Sequence, residues 1–148
     1  MNRHRTLLAV SLGVLMAGAG CGSGGGFNPN NVTVTVAPAI ATTTTNGQVA
    51  LQATVKGDIS PGLVLTWSVA ENTSAATSCF WDIGGSPPVG PCPGGTIQEP
   101  ASDIGDDLTV TYFAPSTAGT YHVTAEWCLC GFGTNVIKTG SSVITVGP

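Results

Sequence analysis

Cysteine is the residue type in this 148-residue chain with the most chemistry open to it, at positions 21, 79, 92, 128 and 130. A thiol can ligate metal, act as a nucleophile, carry a lipid or pair as a disulfide. Cys79, Cys92, Cys128 and Cys130 form an even set whose spacing fits no zinc knuckle, so two disulfides are expected and no metal. Cys128 and Cys130 are two apart, which on an extended strand puts their Cα atoms about 6.6 Å apart with parallel side chains, near the limit for bridging. The favoured arrangement therefore has each of them reach one cysteine of the segment 71–94, stapling that segment to the strands around Cys128. The alternative joins Cys79 to Cys92 and Cys128 to Cys130.

His122 is the one histidine beyond the first twenty residues, and strand alternation faces it outward. There is no Gly-x-Ser-x-Gly elbow and no other nucleophile–base pattern, so no catalytic residues are assigned and the chain does not read as an enzyme. Asp103, Asp106 and Asp107 carry oxygens that suit calcium, but their spacing matches no calcium loop and a solvated acidic turn is expected. Asn31-Val32-Thr33 and Asn72-Thr73-Ser74 match the short glycosylation acceptor pattern, a signal that arises readily by chance. Phe80, Trp81 and Phe132 sit in Gly- and Pro-rich stretches. Aromatics in such loops make candidate contacts for a protein partner or a sugar ring.

The charge balance limits the partners. Only 8% of residues are charged, 42% are hydrophobic, and the formal net charge is −4. No basic surface is available to neutralise phosphates, so nucleic acid is not an expected partner. No cofactor is expected either. Residues 1–20 read as an export signal: basic Arg3, His4 and Arg5, an apolar run from Leu7 to Ala17, then small residues before Cys21. That run is shorter than the roughly 20 apolar residues a membrane span needs. Without it, Lys56 and Lys138 face eight carboxylates, a net charge of −6.

Met16-Ala17-Gly18-Ala19-Gly20-Cys21 resembles a bacterial lipobox. The resemblance implies that Cys21 is lipidated and becomes the first residue of the mature chain. Gly22 stands where an aspartate would retain such a protein in the inner membrane, which implies the outer membrane. Residues 22–31 then form a Gly- and Asn-rich tether with a reach of about 15–20 Å. The expected organisation is a lipoprotein signal at 1–20, the lipidated cysteine and tether at 21–31, and one β domain at 32–148 with a Cys-containing insert at 71–94.

The β domain follows from period-2 patterning. Val32, Val34 and Val36 alternate with threonines up to Pro38, and the sets around 49–55, 63–68, 108–112, 121–127 and 136–146 do likewise. About seven strands in this length predict an all-β antiparallel sandwich. The segments Thr66-Trp67-Ser68-Val69, Gly95-Thr96-Ile97-Gln98 and Tyr112 through Ala125 resemble bacterial immunoglobulin-like domains. That resemblance implies that Trp67 packs the centre of the core and that Tyr121 locks the preceding corner through its hydroxyl. Ala53 and Val123 take the inward positions where antibody domains carry cysteines. Together with the lipobox resemblance it implies a non-enzymatic, lipid-anchored envelope protein of the outer membrane, on its periplasmic face or at the cell surface, acting by binding, adhesion or spacing. The other reading is a carbohydrate-binding module that uses Trp81 and Phe132 as a stacking platform.

Overall fold

In a computed structural model the described residues are 28–57, 65–72, 79–82, 84–99, 107–129 and 136–148. The signal segment, Cys21, most of the tether, Asp103, Asp106, Cys130 and Phe132 lie outside them. Pro29–Asn31, the end of the expected tether, form a single 3-10 turn.

Alternating valine and threonine generate the first strand, β1 (Thr33–Ala37), in which exposed and buried residues alternate without a break. Pro38 stops it, having no N–H to give to a ladder. The link Pro38-Ala39 is not the glycine-containing pair that a two-residue hairpin needs. The chain therefore does not fold back on β1. It passes to the opposite sheet as β2 (Ile40–Thr44). Seven more strands follow: β3 (Gln48–Lys56), β4 (Leu65–Val69), β5 (Phe80–Asp82), β6 (Thr96–Glu99), β7 (Asp107–Phe113), β8 (Gly119–Leu129) and β9 (Val136–Gly147).

Two sheets form, one ordered β1-β3-β7-β6-β5 and the other β2-β9-β8-β4, giving the expected all-β sandwich. The described residues hold nine strands where the sequence pattern predicts about seven. The additions are β2, made mostly of small threonines, and β5, only three residues long inside the insert; neither carries a long enough apolar alternation to stand out. Both also depart from the expected antiparallel pairing. β2 runs parallel to β9, with Ile40 opposite Val143, and β5 runs parallel to β6, with Phe80 opposite Ile97.

The core lies between the sheets. Leu51, Ala53, Val110, Tyr112 and Ile97 from one sheet face Val123, Ala125, Trp127 and Ile144 from the other, all at 2% exposure or less. Each large aliphatic side chain so buried contributes about 1.5–3 kcal/mol. Ala53 and Val123 pack here with no cross-sheet bridge between them.

One side of the sandwich is closed by backbone. A Cβ on Gly140 of β9 would stand 2.8 Å from the Val34 carbonyl oxygen and 2.9 Å from the Thr35 Cα, so glycine lets β1 lie directly on the opposite sheet. Beside it the fully buried Ser142 hydroxyl donates to the Pro38 carbonyl at 2.7 Å, and the Val143 N–H donates to the Ala39 carbonyl at 2.9 Å. These bonds satisfy the two carbonyls exposed where the chain changes sheets. Gly140→Ala is expected to destabilise the domain by about 1–3 kcal/mol through overpacking against this backbone. Gly147→Ala, whose nearest neighbour would be 3.9 Å away, should change stability by less than about 0.5 kcal/mol. Urea midpoints of the two variants test the difference.

Candidate functional site

The insert begins where β4 ends, and two side chains there tie it down. The Ala70 N–H donates to the His122 carbonyl at 3.0 Å and the Asn72 N–H to the Val69 carbonyl at 3.0 Å, forming a tight turn against β8. Asn72 reaches across to the other sheet. Its Oδ1 accepts from the Gly94 N–H at 2.7 Å and its Nδ2 donates to the Gly95 carbonyl at 2.8 Å. The Gly94 carbonyl in turn accepts from the Tyr112 hydroxyl at 2.7 Å. Tyr112 is fully buried, and burial pushes its phenol above the ordinary value of 10. The chain can pass here only as glycine: a Cβ at Gly94 would sit 2.7 Å from Val69 Cγ1, and Gly95 has φ +90°. Both ends of the Asn72 carboxamide are thus spent inside the protein, which takes it out of consideration as a glycan acceptor.

Glu71 faces outward beside it. One carboxylate oxygen accepts from the His122 backbone N–H at 3.0 Å, and the other lies 2.8 Å from His122 Nδ1, where a ring N–H would donate to it. Partial burial alone would raise the Glu71 carboxyl, but the hydrogen bonds from His122 outweigh it and hold the group below its ordinary 4.5. His122 does face solvent, and its partner is this carboxylate. The pair makes a surface clamp between β8 and the start of the insert.

The cysteines do not staple the insert to β8. Cys79 is joined to Cys92, with Cα atoms 5.9 Å apart, and this replaces the expected cross-links to Cys128 and Cys130. The cause is the parallel pairing of β5 with β6. It aligns the starts of both strands, and Cys79 and Cys92 each lie just ahead of one, whereas Cys128 lies on β8 in the opposite sheet. The Cys79 carbonyl accepts from the Ile97 N–H and the Cys92 carbonyl from the Gly95 N–H, both at 2.9 Å, so the bridge pins both ends of the insert against β6. Cys128 is also disulfide-bonded, to neither insert cysteine. Cys130 lies outside the described residues.

Of the aromatics singled out in the insert, Phe80 turns inward and packs on the core. Trp81, next along the strand, faces the other way and packs on Phe113 of β7, with ring centroids 4.9 Å apart and planes at 45°. The two rings form a tilted pair rather than a flat platform. Phe113 follows inward-facing Tyr112, and strand alternation faces it outward. Phe132 lies outside the described residues. Trp67 points into the core from β4 at 5% exposure. The Tyr121 hydroxyl donates to the Thr117 carbonyl at 2.9 Å, with Gly119 against its ring, and this closes the turn that leads into β8. The ties made by Glu71, Asn72 and Tyr112 have no local sequence signal, because each acts through a partner on a distant segment.

Among the described residues no group of three His, Cys, Asp or Glu side chains is placed to hold a metal ion. Asp107 opens β7, while Asp103 and Asp106 lie outside the described residues.

No family model matches the chain, and no curated protein matches it. Among solved structures it is similar to the Yersinia pseudotuberculosis adhesin InvE, at 13% identity and a TM-score of 0.44, over 82% of this chain and 28% of that one. The chain thus spans well under a third of that structure's length.

Two outcomes follow from the clamp. Asn72→Ala leaves the Gly94 N–H and the Gly95 carbonyl without partners and should cost about 2–3 kcal/mol in chemical denaturation. Glu71→Gln should cost about 0.5 kcal/mol at pH 7, a small figure because the pair is solvent-screened. Since the folded-state carboxyl is depressed, its contribution is present above pH 4.5 and is lost as pH falls through the folded value. The melting-temperature gap between wild type and Glu71→Gln should therefore be constant above pH 4.5 and shrink as pH is lowered beneath it, and a gap that does not shrink with acidification would contradict the assignment.

Proposed function

We propose that this chain is an exported bacterial lipoprotein whose single immunoglobulin-like domain is held at the outer membrane through Cys21 and acts by binding, adhesion or spacing rather than by catalysis. The observation that carries this reading is the Cys79–Cys92 bridge, with Cys128 bonded as well. Persistent disulfides belong to oxidising compartments outside the cytosol. The leader ending in Cys21 supplies the route there, and an acyl chain is the means by which an acidic domain with little charge would stay on a membrane. The immunoglobulin-like assignment is supported by inward-facing Trp67 and by the Tyr121 hydroxyl bond four residues back along the chain. The glycan-stacking reading has no observation in its favour, since Trp81 meets Phe113 at a tilt of 45° and Phe132 lies outside the described residues.

The test is the intact mass of the protein from its native membrane fraction, alkylated before and after reduction. The expected result is a chain that starts at Cys21, carries acyl mass, and shows four labelled thiols only after reduction. An unlipidated chain would overturn the anchor. Thiols that label without reduction would overturn the oxidising compartment.

A further inference from the structure

The stretch 84–93, Gly84-Gly85-Ser86-Pro87-Pro88-Val89-Gly90-Pro91-Cys92-Pro93, carries no charged residue. All of it but Pro93 lies within the ring closed by the Cys79–Cys92 bridge, and it follows β5, the edge of its sheet. Val89 is 95% exposed, more than the other outward-facing large hydrophobics, Ile40 at 75% and Ile137 at 53%. Among the described residues, none of 86–91 is hydrogen-bonded to another. The segment is thus anchored at its base and adds nothing to the core. Its order nevertheless comes from the sequence: proline fixes φ at 87, 88, 91 and 93 and drives the residue before each toward extended backbone. Every position from 86 to 93 except Val89 is restricted in this way.

An extended proline segment with a solvated backbone keeps its carbonyls free to accept hydrogen bonds and its rings free to pack. Restriction in the unbound state lowers the entropy lost on docking. We propose that the loop 84–93 is a preformed recognition segment that docks in an aromatic-lined groove of a partner protein, with Pro88 and Pro91 seated against the aromatic walls and Val89 as the apolar anchor. The proposal deepens the binding reading above and rests on it. The lack of charge disfavours an anionic partner, and the lack of a flat aromatic surface on the loop disfavours a sugar ring.

A photo-crosslinking amino acid placed at position 89 of the full chain, in its native cells, tests this. Gln52 and Thr139, exposed on the outer faces of the two sheets, serve as control positions. The expected result is one protein adduct from position 89 and none from the controls, mapping to a groove lined by aromatic side chains. Unlabelled wild-type chain should suppress the adduct, and the Pro88→Ala/Pro91→Ala chain should suppress it about tenfold less well. Pro88 is partly buried and each lost proline frees the unfolded chain, so the double variant should melt slightly below wild type, and the competition is run well below that transition. Equal suppression by both chains, a lipid or glycan adduct, or no adduct at any position would overturn the proposal. Adducts from Gln52 or Thr139 alone would overturn the loop while leaving a binding module that uses a sheet face.

Discussion

The Asn72 carboxamide holds the two sheets in relation at one end, and much of the rest of the molecule is arranged to let it do so. Its two hydrogen bonds span from the end of β4 to Gly94 and Gly95 at the entry to β6. They require that the insert return to one point after leaving the sandwich. They also require two glycines at that point and a buried tyrosine to satisfy the carbonyl left over. An unpaired polar backbone group inside a protein costs more than a hydrogen bond gains, so the network is complete or costly, with little between. Glu71, one residue earlier, repeats the tie on the solvent side through His122, where water makes it weaker and pH-sensitive.

At the other side of the sandwich the constraint is steric. Glycine at 140 lets β1 rest on β9 at backbone distance, and Ser142 and Val143 satisfy the carbonyls of the Pro38-Ala39 crossing. A domain with so few charges has little to draw on in salt bridges, and on its surface the Glu71 carboxylate is held by hydrogen bonds from His122. Specificity of register comes instead from alternating burial and from these few polar bonds to backbone.

The disulfide belongs to the same logic. By pinning the insert where β5 and β6 begin, the Cys79–Cys92 bridge fixes the approach of Phe80 to the core and of Trp81 to Phe113. It also leaves the proline-rich residues between the cysteines outside the packed volume. The insert is thus divided into a part that builds an extra strand and a part that faces solvent.

Period-2 alternation by itself determined the sandwich, the inward set of Val34, Val36, Leu51, Ala53, Trp67, Val110, Val123 and Ala125, and the outward direction of His122, because a strand's side chains must alternate and one face must leave water. What only the tertiary structure decided are the pairings between distant segments. β2 and β5 carry too little apolar alternation to announce themselves, and each pairs in parallel with a strand from a distant part of the chain, β2 with β9 and β5 with β6. The partner of Cys79 follows from that parallel pairing, not from cysteine spacing, so the expected staple to β8 gave way. Trp81 found Phe113, and Asn72 found Gly94 and Gly95, for the same reason. A residue's own type and neighbours encode which way it faces, but which distant groups complete its hydrogen bonds or ring contacts depends on where the whole chain brings the sheets together.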